Sequence, residues 1–261
     1  MAPRAVPRHD RDAGGDEGLL AAKAALRAEV WSALGAAGLA RFPGAAGRIP
    51  NFTGAEAAAE RLRATDAWGR AATVKCNPDS PQWPVRQRAL EDGKTVFMAV
   101  PRLAADRPFL RLDPDHLDAG PRQASSIRGA ARFGRPVELD ELDPVDLVVA
   151  GCVAVGEDGV RLGKGGGFAD LELALAAVAG LVGSATVLAT TVHDLQVRPA
   201  GTVPRTDHDV GLDLVVTPTR VIEVRRRGRR PVPRLRWDEL TDEKVAAIPL
   251  LTALRGRPGA R

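Results

Sequence analysis

Tyrosine is absent from this 261-residue chain, and phenylalanine and tryptophan together bring the aromatic content to only 4%. No tyrosine hydroxyl can therefore serve as an acid, a base or a ligand, and the core must be built mainly from alanine, valine and leucine. The two cysteines, Cys76 and Cys152, lie far apart in the sequence, which excludes a four-cysteine zinc site and gives no disulfide framework. The four histidines form no H-E-x-x-H pattern, so the sequence argues against a histidine-rich metal site.

Long apolar segments are also missing from the sequence. No stretch approaches 18 uncharged apolar residues, so the sequence predicts no transmembrane helix and no membrane partner. The first segment, MAPRAVPRHDRDAGGDEG, has no apolar run after its charged residues and does not fit the pattern of a signal peptide. We therefore expect a cytoplasmic protein.

The charge of the chain is nearly balanced. Lysine and arginine number 37 and aspartate and glutamate 33, which gives a net charge of +4. This excess is small for the length and argues against a protein that coats nucleic acid. The most basic segment is RRRGRR, Arg225–Arg230, and no aromatic residues interleave with its arginines to stack on bases. We expect a solvated hairpin there and no nucleic-acid partner.

The patterns along the chain predict one α/β domain. Residues 1–18 mix proline, glycine and charged residues without periodicity, so we expect a disordered tail followed by a single domain over residues 19–261. Apolar periodicity predicts helices at 19–34, 54–64, 85–93, 168–182 and 237–255. Apolar runs predict strands at 72–77, 94–101, 145–155, 184–192 and 212–224, with a loop-rich segment at 102–143. This alternation predicts a mostly parallel sheet with helices on both faces.

The most informative segment is RLGKGGGFAD, Arg161–Asp170, which follows a predicted buried strand and opens a predicted helix. Its glycines leave backbone N–H groups unshielded, and the helix that starts near Phe168 adds unpaired N–H groups and the positive end of its dipole. Arg161 and Lys164 add positive charge beside these groups, so the segment predicts a phosphate-binding loop. The glycines of the loop are Gly163, Gly165, Gly166 and Gly167.

The loop is neither a Walker A sequence nor a dinucleotide-binding fingerprint. A glycine-rich turn before a helix is often no more than a tight turn, but four glycines with two cations favour anion binding. Asp170 lies in the first helical turn and has two interpretations. It is either a partner of the helix dipole or a ligand of a phosphate-bound Mg²⁺.

At this loop the sequence resembles the 5-formyltetrahydrofolate cyclo-ligases, also called methenyltetrahydrofolate synthetases, whose signature is R-x-G-x-G-x-G-Y-Y-D. Three further segments agree in order and spacing. KAALR, with Lys23 and Arg27, is similar to the family's K-x-x-x-R helix, and GKTVFMAVPR is similar to its second core strand. HDVGLDLVVTP, from His208, is similar to its C-terminal H-D motif. The resemblance covers about residues 19–224.

The resemblance implies a fold, a reaction and a set of ligands. The fold is a three-layer α/β/α protein with a mostly parallel sheet, like the sugar-phosphate isomerase and CoA-transferase group. The reaction is the ATP-dependent cyclisation of 5-formyltetrahydrofolate to 5,10-methenyltetrahydrofolate through a phosphorylated formyl group, which makes the protein a ligase. ATP and Mg²⁺ are the implied cofactors, and a small-molecule folate is the implied partner.

The resemblance also implies roles for individual residues. Lys23 and Arg27 would contact ATP phosphates, and Arg161 with the loop Gly163–Phe168 would hold the remaining phosphates. Asp79 would contact the folate. Asp170 and Asp209 would bind Mg²⁺. The expected catalytic residues are Arg161, Lys164 and Phe168.

The sequence departs from the family in ways that leave other functions open. Phe168 and Ala169 replace the paired tyrosines, and the middle of the chain has no I-x-E-P segment, which is typical of a divergent branch. Lys23 and Arg27 also fit the polar face of an ordinary amphipathic helix. The alternative is a family member that binds a nucleotide or a sugar phosphate without cyclo-ligase activity. A nucleic-acid-binding accessory protein, based on Arg225–Arg230, has the least support.

Overall fold

The computed structural model describes residues 13–100, 103–138, 141–206, 209–225, 228 and 230–256. Its helices are α1 Ala13–Ala36, α2 Ala55–Arg63, α3 Asp66–Arg70, α4 Trp83–Glu91, α5 Pro121–Ala124, α6 Ile127–Phe133, α7 Phe168–Val178, α8 Asp242–Ala246 and α9 Pro249–Arg255. Its strands are β1 Thr73–Cys76, β2 Thr95–Ala99, β3 Phe109–Leu112, β4 Arg135–Val137, β5 Leu147–Val149, β6 Ala154–Gly156, β7 Arg161–Leu162, β8 Val187–Thr191, β9 Val197–Arg198, β10 Leu214–Val216 and β11 Val221–Glu223.

Within these residues the central sheet has eight strands in the order β11-β10-β8-β5-β1-β2-β3-β4. The five inner strands from β10 to β2 run parallel, and β11, β3 and β4 pair antiparallel at the edges. A second sheet of order β7-β6-β9 lies beside it. The mostly parallel sheet confirms the predicted α/β class.

The inner strands of the central sheet send alternate side chains to opposite faces, as the two-residue period requires, and two hydrophobic cores lie on these faces. On β2, Val96 and Met98 belong to the core that α2 to α6 share, whereas Phe97 belongs to the core that α7 to α9 share. Helices therefore cover both faces of the sheet. This is the three-layer α/β/α arrangement that the sequence and the resemblance predict.

Helix α1 packs outside these layers, against the small sheet. Val30 and Leu34 are fully buried in a separate core with Ala154 of β6 and Leu162 of β7. Burying a leucine side chain of this kind contributes about 1.5–3 kcal/mol. Because β7 leads directly into the glycine-rich segment, this packing holds α1 next to that segment.

Several predicted boundaries differ from the structure. Helix α1 begins at Ala13, so residues 13–18 are helical rather than part of the predicted tail, and residues 1–12 lie outside the described residues. Helix α2 begins after Gly54, whose φ of 97° is left-handed, and no side chain caps it. The N-cap is thus Gly54 and not Thr53, although Thr53 followed three residues later by Glu56 resembles a capping box in the sequence.

The apolar run 145–155 forms two strands in two different sheets, β5 and β6, rather than one strand. Periodicity alone predicts no break, because every residue of the run is apolar except Asp146 and Gly151. The loop-rich segment 102–143 contains β3 and β4, which add the antiparallel edge. The predicted closing helix is two helices, α8 and α9, separated before Pro249, and the side chain of Thr241 caps α8.

The basic segment is not solvated throughout. Arg230 is buried, and its guanidinium donates to the carbonyl of Thr186 at 2.8 Å and pairs with Asp213 at 3.2 Å. Arg230 is thus a structural residue, which corrects the expectation of a fully solvated hairpin. Residues 226, 227 and 229 lie outside the described residues. In the described part of the chain, no helix is long and apolar enough to cross a membrane.

Candidate functional site

A cavity of about 580 Å³ opens at the carboxyl ends of the parallel strands. Asn77 follows β1, Val100 follows β2 and Gly151 follows β5 by two residues, and all three line the cavity. Ligands in open α/β sheets bind in this kind of crevice. Residues of the glycine-rich segment form the opposite wall, so the fold brings the predicted loop to the expected edge of the sheet.

The loop turns sharply between β7 and α7. Gly165 and Gly167 have φ values of 109° and 66°, in the left-handed region that L side chains rarely adopt. Gly167 is also the N-cap of α7 and has no side chain to satisfy the first N–H groups of the helix. The loop therefore presents backbone donors and the positive end of the α7 dipole.

Arg27 and Lys23 reach the loop region from α1. Arg27 Nε donates to the carbonyl of Gly163 at 2.7 Å, and its guanidinium lies about 3.7 Å from the place of a Cβ on Gly165. Burial lowers the pKa of Arg27 from its ordinary value. Lys23 Nζ instead pairs with Asp209 Oδ2 at 3.0 Å. Arg27 is thus the α1 residue in contact with the loop.

Two carboxylates predicted to bind metal are both engaged in ion pairs. Asp170 lines the cavity and pairs with Arg161, whose side chain is almost fully buried. For Asp209, burial alone would raise the pKa, but hydrogen bonds from the Thr206 N–H and Lys23 hold the pKa below its ordinary value. Among the described residues, there is no group of three or more His, Cys, Asp or Glu side chains that could hold a metal ion.

Asp79 lies in the cavity wall that faces the glycine loop. Its Oδ1 is 3.8 Å from Lys164 Nζ, and burial raises the pKa of its carboxyl, with the charge of Glu172 adding to that rise. A Cβ on Gly151 would lie only 2.9 Å from Asp79 Oδ2, so a larger residue at position 151 would displace this carboxylate. Asp79 is therefore a partly exposed acid with a raised pKa in the wall of the cavity.

The cavity floor contains a polar group that the sequence reasoning missed. Lys75 Nζ of β1 lies 2.5 Å from Glu172 Oε2 of α7, and Asn77 Nδ2 donates to the same oxygen at 2.8 Å. Asn77 Oδ1 accepts from the N–H of Gly151 at 3.2 Å. Two sequence features point to this group: a lysine inside a predicted buried strand and a glutamate in the apolar run DLELAL.

Arg86 of α4, another residue that the sequence analysis did not single out, fixes the loop that carries Asp79. Its guanidinium is fully buried and donates to the carbonyls of Asn77 at 2.5 Å, Asp79 at 3.1 Å and Ser125 at 2.9 Å. Burial lowers the pKa of Arg86. The three carbonyl contacts tie the segment after β1 to the end of α5.

The structure brings most of the predicted site residues to this cavity. Those that line it are Asp79, Arg161, Gly163, Lys164, Gly166, Gly167, Phe168 and Asp170. Gly165, Arg27, Lys23 and Asp209 are not part of the lining; Arg27 contacts the loop, and Lys23 pairs with Asp209. His208 lies outside the described residues.

Comparison with known proteins finds a matching family and several similar proteins. Residues 18–218 match the model of the 5-formyltetrahydrofolate cyclo-ligase family. The chain is 39% identical over 238 residues to the methenyltetrahydrofolate synthase domain-containing protein of Bos taurus. The aligned region covers 88% of this chain and 61% of that protein. It is 35% identical over 264 residues to the Homo sapiens protein of the same name, covering 98% of this chain and 64% of that protein.

The fold has a solved counterpart. The NMR structure of Aquifex aeolicus 5,10-methenyltetrahydrofolate synthetase superimposes with a TM-score of 0.51 at 20% identity, covering 79% of this chain and 94% of that one. At this identity the likeness concerns the fold alone. The chain spans about three fifths of the length of the curated relatives that it matches.

Proposed function

Because the chain belongs to the 5-formyltetrahydrofolate cyclo-ligase family, a family of ligases, we propose that it cyclises 5-formyltetrahydrofolate to 5,10-methenyltetrahydrofolate with ATP and Mg²⁺. The observation that carries the proposal is the shared cavity. The glycine loop forms one wall, and the segment that carries Asp79 forms the facing wall. Its volume of about 580 Å³ lies within the usual range for small-molecule sites, roughly 300–1,000 Å³.

The reaction that we propose begins when the formyl oxygen takes the γ-phosphoryl group of ATP and ADP leaves. N10 of the folate then attacks the activated formyl carbon, its proton passes to solvent, and the C–O bond breaks as inorganic phosphate leaves. Phosphorylation turns a poor oxygen leaving group into a good one. The task of the protein is therefore to position the two substrates and neutralise phosphate charge.

The loop has the chemistry that a triphosphate requires. Backbone donors at the start of α7 and the side chains of Lys164 and Arg27 bring positive charge to one place. Arg161 Nε is buried and has no hydrogen-bond partner among the described residues. We propose that Arg161, Lys164 and Phe168 contact the reacting groups. Arg27 would hold the loop in place through its hydrogen bond to the carbonyl of Gly163.

The carboxylates fit Mg²⁺ only together with phosphate. Protein sites for Mg²⁺ usually supply one or two carboxylates, and substrate phosphates and water supply the rest. Both metal candidates are ion-paired, Asp170 with Arg161 and Asp209 with Lys23, but only Asp170 lines the cavity. We propose Asp170 as the carboxylate next to the metal. When bound, Mg²⁺ neutralises charge on the triphosphate.

We place the folate against two carboxylates of the cavity, the buried Glu172 and the partly exposed Asp79. One Glu172 oxygen, Oε2, accepts from Lys75 and Asn77, which leaves Oε1 free of hydrogen bonds to the described residues. Carboxylate oxygens on a buried surface select ligands with N–H donors, and a pterin ring carries such donors on one edge.

The direct test is the absorbance of methenyltetrahydrofolate after protein, ATP, Mg²⁺ and 5-formyltetrahydrofolate are mixed. We expect product in the complete mixture and none when ATP or Mg²⁺ is omitted. A protein that binds ATP but forms no product in the complete mixture would contradict the proposal.

Nucleotide or sugar-phosphate binding without cyclisation is the second candidate function. It is favoured by the absence of any hydroxyl at Phe168 and Ala169, beside the expected phosphates. Tight ATP or sugar-phosphate binding with no methenyltetrahydrofolate absorbance would select this candidate.

A further inference from the structure

Lys244 reaches the glycine loop from helix α8, near the end of the chain. Its Nζ donates to the carbonyl of Gly166 at 3.1 Å and lies 5.2 Å from the centre of the Phe168 ring. It also lies 3.1 Å from the place of a Cβ on Gly167. One ammonium group therefore contacts three consecutive residues at the point where the loop becomes helix α7.

The position of Lys244 is fixed by its own helix. The Thr241 side chain accepts from the N–H of Lys244 at 3.2 Å and caps α8, and the next residue, Val245, is buried in the core with Leu251. Lys244 is thus a partly exposed side chain on an anchored helix. It lies outside residues 18–218, the part of the chain that matches the family, so the family match does not account for it.

Lys244 and Arg27 contact opposite ends of the loop. Arg27 donates to Gly163 and packs against Gly165, whereas Lys244 contacts Gly166 and Phe168. In the part of the chain that the structure describes, neither cation forms an ion pair with a carboxylate. Each has only a carbonyl oxygen as its hydrogen-bond partner, which leaves its full charge uncompensated beside unpaired backbone N–H groups.

We propose that Lys244 is a phosphate-binding residue of the nucleotide site and supplies a cation that the C-terminal segment adds to the family loop. An ammonium group has three donors, and one is used by Gly166, so two remain for phosphate oxygens. The cation over the Phe168 ring also holds that ring against the loop. This inference rests on the proposed nucleotide function.

The test compares three variants of the full chain. Lys244→Met removes the charge and keeps the length of the side chain, and Lys244→Arg keeps the charge. Arg255→Met is the matched control, because Arg255 lies on the neighbouring helix α9 and pairs with Asp242 rather than with the loop. Each variant is titrated with ATP·Mg²⁺ and with inorganic tripolyphosphate by calorimetry at low and high salt, after its thermal midpoint is shown to be unchanged.

We expect Lys244→Met to bind both ligands about tenfold more weakly, the lower end of the range for a hydrogen bond to a charged group. Lys244→Arg should recover most of the affinity, and Arg255→Met should match the unmodified protein. The loss should shrink at high salt, because a direct contact with phosphate is screened, whereas a merely structural role would not respond in this way.

The outcomes separate this inference from the function on which it rests. Equal affinities of Lys244→Met and the unmodified protein would overturn the role of Lys244 and leave the nucleotide function intact. Binding of tripolyphosphate that depends on Lys244, without binding of ATP, would keep the phosphate contact and contradict the nucleotide function. No binding of either ligand to the unmodified protein would overturn both.

Discussion

Lys75 and Glu172 form an ion pair beneath the cavity, with 2.5 Å between Nζ and Oε2, although both side chains are almost fully buried. The pair joins β1, at the centre of the sheet, to α7, the helix that begins at the glycine loop. It therefore fixes the first turns of α7 relative to the strand that leads to Asp79. The two walls of the cavity are linked through this contact.

The first prediction concerns the stability of this pair. Lys75→Met should lower the free energy of unfolding by about 3–5 kcal/mol, because it leaves the Glu172 charge buried without its partner. Glu172→Leu should cost a similar amount. The double variant should cost far less than the sum, and urea unfolding of the four proteins measures this. Additive single effects would show that the pair is not coupled.

The second prediction concerns the pH dependence of stability at Asp79. Burial raises the pKa of this carboxyl in the folded protein, so its ionised form costs stability above its ordinary pKa of 3.8. That cost is absent in acid and develops as the pH rises through the raised value. Asp79→Asn should therefore gain stability relative to the unmodified protein as the pH rises above about 3.8. A difference that is flat with pH would contradict this.

The third prediction uses two glycines of the loop. Gly165 has a φ of 109°, so Gly165→Ala strains the backbone by about 1–3 kcal/mol and should weaken ATP binding by up to about a hundredfold. The φ of Gly163 is not in the left-handed region, and a Cβ there would have no atom within 4 Å. Gly163→Ala is thus the control, and calorimetric titration with ATP should give it nearly normal affinity. Equal losses in the two variants would show that loop geometry does not set the affinity.

The fourth prediction concerns the missing hydroxyls. A hydrogen bond from a hydroxyl to a charged group is worth about 1.5–3 kcal/mol, which corresponds to a rate factor of about ten to a hundred. The double variant Phe168→Tyr with Ala169→Tyr should therefore raise the rate at which methenyltetrahydrofolate forms. Phe168→Tyr alone separates the contribution of the two positions. An unchanged or lower rate in a folded double variant would show that the hydroxyls have no place in this cavity.

The sequence predicts the parts of the site that are contiguous in the chain. The segment Arg161–Asp170 carries its glycines, its cations and the start of its helix in ten residues, and the structure places it in the cavity wall. The five inner parallel strands follow from local apolar runs in the same way. These features can be predicted because local backbone conformation depends mainly on residues that are close in the sequence.

The contacts between distant residues could not be predicted in this way. Lys75 and Glu172 are 97 positions apart, and Lys244 is 78 positions from Gly166. The partners lie in different segments of the chain, and only the packing of α7 and α8 brings them together. The division of the run 145–155 between two sheets likewise depends on which neighbours each half finds.

The coupling of ATP consumption to ring closure is the most direct test of the proposed ligase activity. ADP and methenyltetrahydrofolate are measured in one reaction, with and without 5-formyltetrahydrofolate. We predict that ADP forms only when the folate is present and that the two products appear in equal amounts. ADP formation that is the same without the folate, or folate-dependent ADP formation with no methenyltetrahydrofolate, would contradict an ATP-dependent cyclo-ligase.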